Sequence, residues 1–124
     1  MKILVGVLGV ALSSAALAAN WQLVTSATDG RVVSVDMNSL RKSGDSAQIW
    51  TQTDYSKVKN IKARLSKELW KFNCSAQTTF TASWIDYAPD GSVIKSHTPI
   101  ETSYGYAPVA PGTVGETVMN LVCG

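Results

Sequence analysis

Apolar and polar positions alternate with a period of two along most of this chain. Trp21, Leu23 and Thr25 take turns with Gln22, Val24 and Ser26, which predicts a first strand over 21–26. Asp29-Gly30 is a tight-turn pair, favoured because glycine accepts positive φ, and the valine-rich segment Arg31–Asp36 follows at once. These two segments read as a hairpin. Asn38–Asp45 is short and polar, so one helical turn ending near Gly44 and then a turn are expected, with Asp36 placed to cap the turn over Asn38–Arg41. Ser46–Tyr55 is the next strand. Ala47, Ile49, Thr51, Thr53 and Tyr55 form one face, and Ser46, Gln48, Trp50, Gln52 and Asp54 form the other.

Lys57-Val58-Lys59-Asn60-Ile61-Lys62 breaks the alternation and reads as a connection. Arg64–Cys74 resumes it, with Trp70, Phe72 and Cys74 together and Lys71 and Asn73 opposite. Leu65 and Leu69 fall on the wrong face of that register, which a bulge or twist near Glu68 would repair. Thr78–Tyr87 is a further strand with Phe80, Ala82 and Trp84 inward, and Pro89-Asp90-Gly91 turns it into Val93–Thr98. The prolines and glycines of 99–112 predict a loop. Thr113 then has N-cap character with Glu116 at capping-box spacing, and Val114, Val118, Leu121 and Val122 make an apolar stripe of helical period. The helix ends at Cys123-Gly124, where an ideal helix turns Cys123 away from the stripe. Either the last turn unwinds, or Cys123 meets the sheet from the helix edge. The fold class is α+β and mostly β: about six antiparallel strands carrying one short C-terminal helix.

The amino end sets the compartment. Lys2 precedes the apolar run Ile3–Leu12, and Ala16-Leu17-Ala18 is an A-x-A cleavage pattern, so residues 1–18 read as a signal peptide cut near Ala18-Ala19. The run is shorter than the roughly 20 apolar residues of a spanning helix. No later run is long enough either, so no integral membrane segment is expected in the mature chain. Residues 19–124 suit a single domain. The net charge of +2 falls to about +1 once Lys2 is removed, too weak to argue for a nucleic-acid partner.

Cys74 and Cys123 both survive cleavage, and in an oxidising compartment an isolated pair is most simply a disulfide. It would close a loop of about 50 residues and contribute on the order of 4 kcal/mol in the chain-entropy picture. It would also tie the helix end to the strand ending at Cys74. Free thiols or a metal site are the alternatives, and zinc wants about four ligands where one histidine is on offer. No cofactor motif is present. His97 is the single candidate base; its neighbour Ser96 points to the opposite face of a strand, and no G-x-S-x-G elbow occurs. The carboxylates are scattered, and their spacing favours no pair. The chemistry therefore reads as non-enzymatic.

The ordered set Trp21, Gly30, Val35-Asp36-Met37-Asn38-Ser39-Leu40-Arg41, Ile49-Trp50, Asp54-Tyr55, Ser66-Lys67, Asn73-Cys74, Gly91, Tyr106, Pro111-Gly112-Thr113-Val114-Gly115-Glu116 and Cys123 resembles the surface-adhesin protein E family of Gram-negative bacteria. The resemblance covers essentially the whole mature chain. It implies an antiparallel sheet with a C-terminal helix tethered by a Cys74–Cys123 disulfide, and a surface protein that binds host matrix and serum proteins. The chain departs from the family's namesake in having no lipid-acceptor cysteine after Ala16-Leu17-Ala18.

Two features are candidates for binding a partner. One is the basic stretch Lys57, Lys59, Lys62, Arg64, Lys67, Lys71, whose field would attract an anionic glycan, lipopolysaccharide or an acidic host protein, and whose bland reading is a solvated loop guarding a strand edge. The other is aromatic: Trp50 among polar neighbours, and Tyr104 and Tyr106 in the Gly/Pro loop. Trp50 has a competing place beneath the helix. In that case its face and the Trp70/Phe72/Trp84 face could both be inward only in a curled sheet. The expected function is an exported, non-catalytic binding module contacting a macromolecule, either a host protein or an envelope component. The alternative is a periplasmic accessory or inhibitor protein with a bacterial partner. An exposed strand edge could support a homodimer.

Overall fold

A computed structural model of the protein describes residues 18–124, so the expected signal segment lies, apart from Ala18, outside the described residues. Eight strands form one open antiparallel sheet: β1 (Trp21–Ser26), β2 (Val32–Asp36), β3 (Arg41–Ser43), β4 (Ser46–Asp54), β5 (Leu65–Asn73), β6 (Thr78–Tyr87), β7 (Val93–His97) and β8 (Ala107–Pro108). The path runs β1-β2-β4-β5-β6-β7, with β3 on β4 and β8 on β6. One helix, α1 (Val114–Cys123), lies on it.

The two hairpins form as their turn residues dictate. Gly30 N–H donates to Ala27 O across the first, and Gly91 N–H donates to Ala88 O across the second. Asp36 caps the helical turn as expected, its Oδ1 accepting from Asn38 N–H at 3.0 Å. The turn itself is shorter and earlier than expected, a 3-10 turn over Met37–Ser39, and Arg41–Ser43 is a strand. The reason lies in β4, which outlasts β2. Thr51–Asp54 pair with β2, and β3 takes over Ser46–Gln48, so the backbone groups of the long strand are satisfied in relay. At the junction Ser39 Oγ accepts from Trp50 N–H at 2.9 Å. The loop over 99–112 likewise contains a 3-10 turn, Ser103–Gly105, and the two residues of β8 on β6.

Bulges assign the faces. β4 and β5 pair without interruption from Ser46↔Asn73 to Asp54↔Leu65, so no bulge near Glu68 rescues Leu65 and Leu69. They stay with Trp50 on the second face. The irregularity is in β6: Leu69 pairs with Ser83 and Trp70 with Thr81, leaving Ala82 as the extra residue. Phe80 and Trp84, expected inward together, therefore sit on opposite faces.

The first face carries Val35, Ala47, Ile49 and Phe72, all fully or nearly buried under Val118, Met119 and Val122 of α1. Met119 takes the place expected of Leu121, which is exposed. Thr113 Oγ1 accepts from Glu116 N–H at 3.2 Å, and Glu116 Oε1 accepts from Gly112 N–H at 3.0 Å, so the cap reaches one residue further back than a simple capping box. The helix runs through Cys123, so that cysteine meets the sheet from the helix edge. It bonds Cys74 with S–S 2.06 Å and Cα–Cα 5.6 Å. Lys42 Nζ donates to Cys123 O at 3.1 Å, a cation at the negative end of the helix.

Candidate functional site

The second face of the sheet carries no α-helix among the described residues; the 3-10 turn Ser103–Gly105 crosses only its Phe80 end. Its side chains follow from the register. One row is Gln52, Lys67 and Ile85; the next is Trp50, Leu69 and Ser83; a third is Asp54, Leu65 and Tyr87. β1 and β2 add Trp21 opposite Asp36, and Leu23 opposite Ser34. Trp50 is thus not beneath the helix. Helix and Trp50 occupy opposite faces because Ile49 and Thr51, its neighbours in β4, are the buried ones. Most of this face is half-buried, and Leu23 stands 67% exposed.

Lys67 sits at the middle of it. Its Nζ lies 5.7 Å from the Trp21 ring centroid and 5.6 Å from that of Tyr87, within cation–π range of both. Ion pairs among the described residues join Arg31 to Asp29 and Lys71 to Glu101; neither involves Lys67. A depression of about 320 Å³ opens between Ala19, Trp21, Asp36, Trp50, Lys67 and Ile85. A second, toward the β5 start, is lined by Asp54, Arg64, Lys67 and Tyr87 among others. Asp54 is held below the ordinary carboxyl range, first by Ser56 N–H and its hydroxyl, then by Arg64 and Lys57.

At the other end of this face the segment 99–106 forms a strap. Lys71 Nζ pairs with Glu101 Oε1 at 2.6 Å, and Tyr106 Oη donates to Glu101 Oε2 at 3.0 Å. The Tyr106 ring stacks on Phe80, with centroids 5.4 Å apart. Lys71 and Tyr106 hold the Glu101 carboxyl below its ordinary pKa. Burial first, and the carboxylate second, push the Tyr106 hydroxyl up.

The candidate residues therefore separate. Trp50 and Lys67 come together on the open face, with Arg64 at its margin. Tyr106 is spent on the strap, while Tyr104 projects from it at 98% exposure. Lys57, Lys59 and Lys62 are exposed in the connection and do not line the Trp21–Lys67 depression. Trp21, Asp36, Ile85 and Tyr87 are the partners that sequence reasoning missed. Alternation placed each on a face of its own strand, but only the cross-strand register brings them to Lys67.

The helix-bearing face has its own cleft of about 510 Å³ between Tyr55, Ile61, Ser66, Glu68, Trp84 and Asp86, with no residue of α1 in its lining. Ser66 Oγ donates to Asp86 Oδ1 in a short hydrogen bond. Trp70 Nε1–H donates to Glu68 Oε1 at 2.7 Å. His97 is exposed and lies against Trp84, ring centroids 4.7 Å apart. The carboxylates here are already engaged as acceptors.

No helix among the described residues is long and apolar enough to cross a membrane. No curated protein and no solved structure matches the chain. The sequence pattern of one family, described as surface-adhesin protein E, matches residues 21–124, from the first residue of β1 to the last residue of the chain. The chain belongs to the surface-adhesin protein E family.

Proposed function

We propose that this protein is an exported, non-catalytic binding module that holds a macromolecular partner against the helix-free face of its sheet. The observation that carries the reading is the open face itself. It sets indole and phenol rings around a lysine that has no carboxylate partner among the described residues. A sheet covered on one face only normally turns polar side chains to water on the other. Here the uncovered face keeps Trp21, Trp50, Leu65, Leu69, Ile85 and Tyr87, and contiguous apolar area of that kind with a polar rim is the anatomy of a contact surface. Membership of an adhesin family agrees with a role in attachment.

Absence of catalysis is the companion reading. The single histidine lies tilted against an indole, and the buried Ser66 hydroxyl donates its hydrogen bond to a carboxylate and not to an imidazole. Export and cleavage near Ala18-Ala19 complete the proposal, on the strength of the Ala16-Leu17-Ala18 pattern.

The test is attachment of the disulfide-bonded protein to immobilised matrix proteins, serum proteins and envelope glycans. Trp50→Ala is expected to weaken retention on the true partner by at least about tenfold, the scale of a buried aromatic anchor. Glu68→Gln on the helix-bearing face is expected to leave it within about twofold. Equal loss from both variants, or no retention on any surface, would overturn the reading. Mass determination of the mature chain tests the cleavage site, and cell fractionation separates surface display from the periplasm.

A further inference from the structure

The depression at Lys67 has a chemistry narrower than general stickiness. From the geometry we infer that it is a subsite for an acidic sugar, a pyranose bearing a carboxylate, within a glycan partner. This inference rests on the open face being the contact surface.

Lys67 differs from every other lysine of the basic stretch. Lys57, Lys59 and Lys62 are exposed in a connection. Lys71 is already neutralised by Glu101 at 2.6 Å. Lys67 is half-buried, and its ammonium is positioned by two aromatic rings. Ring quadrupoles steady a cation without cancelling its charge. An arriving anion therefore finds a placed donor, gains a charge-assisted hydrogen bond, and displaces no resident carboxylate.

Two more features select a sugar over an acidic side chain. Trp21 and Trp50 both wall the depression, and indole faces match the flat C–H face of a pyranose. Asp36, beside them, has Oδ1 occupied by Asn20 N–H at 2.8 Å and Asn38 N–H at 3.0 Å, and its Oδ2 accepts no hydrogen bond among the described residues. A sugar hydroxyl can donate to Oδ2. A peptide carboxylate would satisfy Lys67 but bring no hydroxyl to donate to Asp36 Oδ2. At about 320 Å³ the depression is at the small end of ligand sites, which run from roughly 300 to 1,000 Å³, and suits one or two sugar units.

The probes are hexasaccharides of alternating glucuronate and N-acetylglucosamine, and of polygalacturonate. Each is also prepared with its carboxylates reduced to alcohols, and hexaglutamate serves as the acidic peptide. Binding to the disulfide-bonded protein is read by tryptophan fluorescence and by saturation transfer to sugar protons. At least one uronate hexasaccharide is expected to bind, and its reduced form at least about tenfold more weakly. Lys67→Gln and Trp50→Ala should each lose about tenfold or more, with near-ultraviolet circular dichroism confirming the fold. The triple change Lys57→Gln, Lys59→Gln, Lys62→Gln should stay within about threefold at physiological salt. Equal binding of the reduced sugars, tighter binding of hexaglutamate, or indifference to Lys67→Gln overturns the inference. If neither saccharide binds while Trp50→Ala still abolishes attachment, the sugar subsite is wrong and the open-face reading stands. If a uronate binds as expected while attachment ignores Trp50→Ala, the subsite is supported and the attachment reading falls.

Discussion

Glu101 and Gly105 hold the strap by two different means. Gly105 passes so close to the Phe80 ring that an added Cβ would stand 2.6 Å from Cε1. Gly105→Ala must therefore push the strap outward or unstack Tyr106 from Phe80, and an over-packing cost of about 1–3 kcal/mol is expected, read as a lower Tm. Glu101 works through charge. Its pKa is lowered by Lys71 and by the Tyr106 hydroxyl, so near the ordinary value of 4.5 the folded chain binds fewer protons than the unfolded one. The stabilisation is full above about 4.5 and is lost as pH falls through the lowered folded value. Acid titration followed at the Gly105 amide by NMR should show release of the strap below that point. Glu101→Gln should remove this acid-side transition, since an amide cannot titrate. A strap signal that moves identically in both proteins would refute the assignment.

At the scale of elements, α1 depends on what it is fastened to. Ten residues are too few for a helix to persist alone in water. It is kept by Val118, Met119 and Val122 on the sheet and by the disulfide at its last turn. Reduction, or paired Cys74→Ser and Cys123→Ser changes, should cost on the order of 4 kcal/mol. Hydrogen exchange should accelerate in 114–123 well before it does in β4 and β5. Met119→Ala should add about 2–5 kcal/mol through transfer and cavity terms. The helix, its cap, both hairpins and the cysteine pair were legible in the sequence, because each depends on residues close together or on the only two sulfurs able to pair. In β5 plain alternation held and the bulge expected near Glu68 was not needed, but the faces of β6 were not legible. A strand's own alternation cannot reveal that its partner holds an extra residue, and Ala82 has no bulge signature. The same limit hid the site: Lys67 was visible, but its pairing with Ile85 and its approach to Trp21 and Tyr87 depend on non-local register. Arg41–Ser43 was missed for a related reason, since only the unpaired end of β4 calls for a strand there.

Across the whole molecule, the helix covers one face, the other has no α-helix among the described residues, and the edges are guarded. Val24 in β1 and Ile94 in β7 interrupt the register of the outer strands, and Lys95 lies at the centre of β7, devices that resist edge pairing between copies. Charge is divided in a comparable way. Lys57, Lys59 and Lys62 stand exposed beyond the sheet end, while Lys67 is set into the open face. If the partner is an anionic chain, these two sets act at different stages of binding. Exposed lysines outside the contact contribute a field that reaches roughly 8 Å at physiological salt and guides encounter. A lysine inside the contact holds the bound partner and governs its escape. The triple change Lys57→Gln, Lys59→Gln, Lys62→Gln should therefore lower the association rate severalfold at low salt, flatten its salt dependence, and leave dissociation nearly unchanged. Lys67→Gln should do the reverse, accelerating dissociation about tenfold with little change in association. Interferometry on an immobilised uronate polymer, run from about 20 to 300 mM salt, separates the two rates. Matching increases in the dissociation rate from both variants would place the connection inside the contact and remove the distinction between steering and holding.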